Sequence, residues 1–386
     1  MTIAQKIRLN ARKISVNTCR LLLAVTFIFS GFVKANDPYG TVYKLNDYAV
    51  SMVHVHISSL ILLIAAIALA FVEFNMGIYL FFGISRKKVS SLTVLFMSVM
   101  TLLTVYIFIF NPVSDCGCFG DAIILSNGAT LLKNIVLLAA AIFLKKYSRL
   151  QTEFVTDRFK WLVSMASMSA ILIFAVYCII CLPVIDFRPF KVGTDLRANY
   201  ESYSDASNFE VKIVYEKDGK TIELDADDDD PDSTWTYVET RRNIKNEKQL
   251  ETSNFYFSDA ATDDDITEDL LYNDGTTLLL IIPDLKRADE SCIDRINDLF
   301  DYSKDNDIPF YCLTGSADPN AQTYWTEHTG AEYGYAIGDE RLLKTVCRGN
   351  PGLVVLHDGV IIGKKSNFQM PTPEELEKSI ASKIQK

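Results

Sequence analysis

Residues 57–83 read ISSLILLIAAIALAFVEFNMGIYLFFG, with Glu73 as the only charged side chain. An apolar helix needs about 20 residues to cross the hydrocarbon of a bilayer. Strand pairing cannot satisfy the backbone of so long an apolar run, so the stretch predicts a membrane-spanning helix, tilted or broken near Asn75-Met76-Gly77. Working outward, four further runs meet the same test. They are Ile14 to Val33, Val89 to Phe110 (ended by Asn111-Pro112), Ala129 to Leu144, and Trp161 to Leu182 with Pro183 as its stop.

Charge divides the 386-residue chain in two. Residues 1–183 carry +9 and residues 184–386 carry −19, against −10 for the whole. The basic half is the apolar half, and its charges sit between the apolar runs. Basic residues gather before the first run (Lys6, Arg8, Arg12, Lys13, Arg20), between the second and third (Arg86, Lys87, Lys88), and between the fourth and fifth (Lys145, Lys146, Arg149, Arg158, Lys160). Segment 35–56 has only Lys44 and segment 111–128 has no basic residue. The positive-inside rule then puts the N-terminus in the cytoplasm and everything after Pro183 outside. A cleaved signal peptide ending at Val33-Lys34-Ala35 is a competing reading. Lys34 fits such a site badly, and the topology of the rest is the same either way. The acidic outer half excludes a nucleic-acid partner, which would need a clustered basic surface.

The outward segment between the third and fourth spans reads Asp115-Cys116-Gly117-Cys118-Phe119-Gly120-Asp121. Two thiols separated by one glycine close a small, strained ring when oxidised, and strained disulfides are the labile ones. Gly117 and Gly120 allow backbone angles that other residues resist. The flanking carboxylates are expected to raise both thiol pKa values and slow attack. A structural clip or a metal half-site are the alternatives. With two thiols and no histidine nearby, no metal site is expected.

Four spans with Phe29-Ser30-Gly31-Phe32-Val33-Lys34 on the first and Glu73-Phe74-Asn75-Met76-Gly77 on the second resemble the DoxX-like membrane proteins. The cysteine loop resembles more specifically the MauE branch, named for methylamine utilisation, over about residues 14–146. That resemblance implies thiol redox chemistry at the membrane on Cys116 and Cys118, with disulfide maturation of a partner protein. A periplasmic protein partner or a membrane electron carrier such as a quinone is the expected exchange partner. Asp115, Gly117, Phe119, Gly120 and Asp121 would support the pair. Glu73, the one acid inside a span, is either functional or a helix-pairing group. Cys178 and Cys181 share a face of the fifth span near its outer end. A relay to the loop and simple packing are both open for them.

The outer half alternates from Phe209 to Tyr215, turns at Lys217-Asp218-Gly219-Lys220 and returns over Thr221 to Leu224, which predicts a hairpin. Thr234 to Val238 reads as another strand, and the run Asp225 to Asp232 as a solvated acidic turn, since it lacks calcium-loop spacing. From residue 253 the pattern gives strands at Asn254–Phe257, Thr277–Ile282, Ile308–Leu313 and Tyr333–Ile337. It gives helices at Ser291–Tyr302, Ala317–Thr329 and Glu340–Cys347. A hairpin follows through His357-Asp358-Gly359, then a closing helix at Pro373–Ile384 with Thr372 and Glu375 as a capping box.

That order, with Asn350-Pro351-Gly352 before the hairpin, resembles the thioredoxin-like fold over about residues 253–386. The resemblance implies a cis peptide at Pro351. It also implies a Cys-x-x-Cys where this chain reads Asp289-Glu290-Ser291-Cys292, so the attacking thiol is replaced by Asp289. Without that nucleophile dithiol exchange cannot run there, and a docking role is expected; Cys292 and Cys347 remain as candidate relay thiols. The expected architecture is therefore multi-domain. An all-α transmembrane helical bundle occupies residues 1–150, and a fifth helix and linker occupy 151–190. An acidic β-rich segment spans 191–252, and an α/β thioredoxin-like extracytoplasmic domain spans 253–386. The expected setting is the bacterial inner membrane. Two functions compete: a membrane thiol-disulfide oxidoreductase, and a non-catalytic envelope assembly factor with structural cysteines. A transporter, resting on Glu73, comes third.

Overall fold

The computed structural model describes residues 3–55, 57–113, 115–204, 209–217, 220–225, 235–244 and 255–384. They form two compact units, Met1–Phe187 and Arg188–Lys386.

The first unit holds five helices long and apolar enough to cross a membrane. They are α1 (Ile3–Asn36), α3 (Ser59–Phe82), α4 (Arg86–Phe110), α5 (Asn127–Lys146) and α6 (Asp157–Cys181), with a short helix α2 (Pro38–Tyr48) between α1 and α3. Asp37 starts α2 by accepting from the Gly40 N–H at 2.9 Å, and Pro38 occupies its first turn, where a missing N–H costs nothing. The second span is unbroken: α3 runs straight through Asn75-Met76-Gly77. The glycine there serves close packing instead. A Cβ on Gly77 would lie 2.6 Å from the Ile28 nitrogen of α1, and one on Gly31 would lie 2.4 Å from the Phe74 nitrogen of α3. The two glycines let the backbones of α1 and α3 touch, which is how membrane helices associate where no hydrophobic force draws them together.

Polar side chains tie the other helices. Ser167 of α6 donates to Asn75 Oδ1 at 2.7 Å, and Asn134 of α5 donates to Thr104 of α4 at 3.2 Å. Leu60, Ile64, Leu95, Val99, Leu102, Leu132 and Ile173 face outward, as lipid-facing positions do. The Asn36 amide brackets Ile185, donating to its carbonyl at 2.7 Å and accepting from its N–H at 3.1 Å, which holds the chain after α6 to the end of α1.

The second unit begins with α7 (Leu196–Ser204) and two sheets follow. β1 (Phe209–Lys217), β2 (Lys220–Asp225) and β3 (Thr236–Ile244) form an antiparallel sheet in the order β2-β1-β3. The expected hairpin turn at Asp218-Gly219 and most of the acidic run lie outside the described residues. The second sheet has the order β4-β7-β6-β5-β8-β9, built from β4 (Ser258–Asp259), β5 (Thr276–Ile282), β6 (Phe310–Thr314), β7 (Tyr335–Ile337), β8 (Gly352–His357) and β9 (Val360–Ser366). β5, β6 and β7 are mutually parallel; β4, β8 and β9 join antiparallel.

Helices α8 (Thr267–Leu271), α9 (Ile293–Asp305), α10 (Pro319–Thr329), α11 (Glu340–Val346) and α12 (Pro373–Ile384) complete the unit. β5 buries every residue from Thr277 to Ile282, and each such Leu or Ile contributes about 1.5–3 kcal/mol by leaving water. The strand expected at Asn254–Phe257 is displaced: residues 255–257 are not strand, and Phe255 and Phe257 are core side chains leading into β4. Thr372 and Glu375 form a reciprocal capping box at the start of α12.

Candidate functional site

Four helices converge on the cysteine loop. The loop turns tightly because Gly117 and Gly120 both have positive φ, 59° and 50°, and Gly120 N–H closes on the Gly117 carbonyl at 3.1 Å. Cys116 and Cys118 are both half-buried, and their sulfurs lie 2.7 Å apart. Asp121 sits in the single 3-10 turn, Gly120–Ala122, that leads away.

Each carbonyl of the pair is held from a different helix. On α1, the Lys34 ammonium donates to the Cys118 carbonyl at 2.7 Å, to Ser30 Oγ at 2.7 Å and to Glu73 of α3 at 2.8 Å. All three of its protons are used. Ser30 Oγ donates to the same Cys118 carbonyl at 2.7 Å. On α2, the Tyr48 hydroxyl donates to the Cys116 carbonyl at 2.5 Å, and burial keeps that phenol protonated and a donor. The Lys34–Glu73 pair is nearly inaccessible, at 5% and 2% exposure. A carboxylate or ammonium buried alone at this depth costs several kcal/mol, so each needs the other. Glu73 thereby has a buried counter-ion on the neighbouring helix.

The expectation that the flanking carboxylates raise both thiols does not describe Cys116, and Asp115 shows a physical reason. Asp115 is already neutralised: its Oδ2 takes the Lys44 ammonium at 2.5 Å and its Oδ1 accepts the Gly117 N–H at 2.8 Å. Three ammonium groups, on Lys34, Lys44 and Lys133, reach the loop from outside it. Lys133 of α5 stands 4.1 Å from the Phe119 ring, which packs edge-on against Phe29 at 5.5 Å. The hydrogen bond from Cys118 holds the Cys116 thiol below the ordinary thiol range, against the effect of burial, and Lys133 reinforces it. Giving that bond, and then burial, push Cys118 well up. Cys116 is thus the more acidic sulfur of the pair, and Cys118 the one that holds its proton more tightly. Lys34, Ser30, Lys44, Tyr48 and Lys133 complete a site of which sequence reasoning named only the loop and Glu73. Their signals were faint: Lys44 is the lone basic residue of its segment, and Lys34 lies within the Phe-Ser-Gly motif.

The remaining cysteines are described within their own units. Cys178 is buried on α6 and Cys181 half-buried, both as free thiols. In the second unit, Cys292 ends a 3-10 turn, Glu290–Cys292, that opens α9. Burial, and then Asp289, raise its thiol to about 11. Asp289 caps the Ser291 N–H at 2.8 Å and accepts from Asn367 at 2.7 Å, while its own N–H donates to the Asn350 carbonyl at 2.9 Å. The Asn350–Pro351 peptide is cis. Cys347 is buried with its sulfur against Gly352, and Cys312 is a core residue pushed upward by complete burial. Among the described residues no group of three metal-ligating side chains comes together.

Five apolar spans with a half-buried dithiol at one end define a multi-pass membrane protein joined to a mixed α/β domain. Residues 12–145 match the family model described as methylamine utilisation protein MauE, so the chain contains a MauE family membrane region. Residues 209–247, which cover the three-stranded sheet, match a domain of unknown function, DUF8463. No curated protein matches the chain.

Proposed function

We propose that the membrane region carries out thiol–disulfide exchange through Cys116 and Cys118 at the outer face of a bacterial inner membrane. The observation that carries this reading is the asymmetric pair: two sulfurs 2.7 Å apart, one favoured as thiolate and one as thiol. In the reducing direction the Cys116 thiolate attacks one sulfur of a partner disulfide, and the other leaves as a thiolate. Cys118 then gives up its proton and attacks Cys116. The pair becomes a disulfide and the partner a dithiol, two electrons richer. In the reverse direction the oxidised loop inserts a disulfide into a partner protein. Tyr48, Ser30 and Lys34 position the loop through its carbonyls, so the sulfurs stay adjacent throughout. The outward placement rests on the basic residues at the opposite helix ends.

The α/β domain would dock the partner without chemistry of its own. Support for a thioredoxin-like reading comes from the β7-β6-β5-β8-β9 order, from the cis Asn350–Pro351 peptide, and from Cys292 at the opening of α9. Asp289 stands where a nucleophile would be needed, and Cys292 stays protonated at neutral pH. That lack favours the second reading, an assembly factor in which the Cys116–Cys118 pair is a fixed clip.

The two readings part on trapping. With Cys118→Ser, mixed disulfides with envelope proteins should accumulate on Cys116 and be resolved by gel and mass spectrometry. Cys116→Ser should trap far less through Cys118. A pair that stays fully oxidised in cells, with no adduct in either variant, would leave only the clip.

A further inference from the structure

At the end of the bundle opposite the cysteine loop, α1 carries a second buried cation. Arg20 is 0% exposed. Its Nη1 donates to the Thr152 carbonyl, and the Phe154 ring lies 4.7 Å from the guanidinium carbon. Its Nε and Nη2 have no hydrogen-bond partner. These two nitrogens form one edge of the guanidinium, the edge that grips two oxygens of a carboxylate or phosphate side by side. Glu153, next to Thr152 in the chain, is engaged: Arg86 takes one oxygen at 2.8 Å and Lys160 the other at 3.1 Å. A cavity of about 320 Å³ opens beside Arg20, lined also by Lys13, Asn17, Thr18, Thr152 and Phe154. Ile14 and Leu21, on the same stretch of α1, are exposed apolar side chains.

We propose that this cavity binds a phosphate group, two of whose oxygens are held on Nε and Nη2 of Arg20 with Lys13 at the rim. A buried guanidinium with an unpaired edge costs several kcal/mol, and an anion reaching that edge from the cavity removes the cost. The phosphate belongs either to a phospholipid headgroup, whose chains would lie along Ile14 and Leu21, or to free phosphate. This site is independent of the dithiol and of the chemistry proposed there.

The test uses the full chain, purified in a neutral detergent and stripped of lipid. Three probes are added separately: phosphatidylglycerol, a galactolipid that lacks phosphate, and sodium phosphate against sodium chloride at equal ionic strength. Native mass spectrometry counts bound lipid, and thermal melting reads stabilisation. Phosphatidylglycerol is expected to remain bound and raise the melting temperature, with the galactolipid about tenfold weaker, the equivalent of about 1.4 kcal/mol. Arg20→Gln should lose that preference, and Lys13→Gln, on the exposed rim, should weaken it about two- to threefold. If sodium phosphate alone reproduces the shift and Arg20→Gln removes it, the site stands and its occupant is the free anion. Should Arg20→Gln fail to fold, wild-type lipid counts and Lys13→Gln decide. Equal retention of both lipids with no response to phosphate would overturn the proposal. So would probe binding indifferent to both substitutions.

Discussion

Asp115-Cys116 and Asp289-Glu290-Ser291-Cys292 put a carboxylate beside a thiol in both units of the chain, with opposite results. At the membrane loop the carboxylate is spent on Lys44 and on the Gly117 N–H, a second thiol donates to the first, and Lys133 adds positive charge. At the start of α9 the carboxylate is held ionised by hydrogen bonds from Ser291 and Asn367, no second sulfur is present in the turn, and the thiol is buried. The acid beside a cysteine thus says little by itself. What sets the thiol is whether that acid's charge has already been answered, and whether another proton donor reaches the sulfur.

The largest expected effect is on reactivity. In reduced full-length protein, site-resolved alkylation across pH should show Cys116 reacting below the ordinary thiol pKa of about 8.5. Its rate should rise with pH and then level once the thiolate is fully formed. Cys292, raised to about 11, has about one thiolate in 10⁴ molecules at pH 7 and should react only as pH climbs toward that value. A rate ratio of at least about a hundredfold at pH 7 is expected. Matching profiles for the two would break the comparison outright.

A second test asks what keeps the membrane pair in place. Lys34→Met leaves Glu73 buried without its cation and releases the Cys118 carbonyl from one of its two side-chain donors. Removing one partner of a buried ion pair costs about 3–5 kcal/mol. Lower melting in detergent and faster alkylation of Cys118 should appear together. Lys34→Met with Glu73→Leu should recover most of the stability without slowing Cys118, because the loop anchor is still missing. A single variant as stable as wild type would mean that the ion pair does not hold the bundle.

How far each half was legible follows from the range of the interactions involved. The five spans could be read because hydropathy is a local property, and the strands and helices after residue 275 because their periodicity is local too. Ser30 and Lys34 were visible as a motif, but their joint grip on the Cys118 carbonyl spans more than 80 residues of sequence. The Lys44–Asp115 pair joins residues 71 apart, so Asp115 looked like an open charge. Helix α2 escaped because 11 mixed residues with Asp47 and Lys44 carry no clean apolar stripe. Gly77 suggested a break because a glycine read alone weakens a helix; only α1 passing at backbone distance reveals why it is there.

The smallest effect expected on stability comes from restoring the missing sulfur. Asp289→Cys removes the cap on the Ser291 N–H and the acceptor for Asn367, at a cost of about 1 kcal/mol. It also removes the carboxylate that helps raise Cys292, so that thiol should fall toward the ordinary range. The new sulfur would stand three positions before Cys292, at the opening of a helix. Under mild oxidant the variant should lose two hydrogens by mass as a disulfide closes to Cys292, while the wild-type domain shows no such change. If the disulfide forms and Cys292 becomes alkylatable near neutral pH, the contrast between the two units comes down to one side chain. If neither happens, burial alone silences Cys292, and the carboxylate at position 289 is incidental to it.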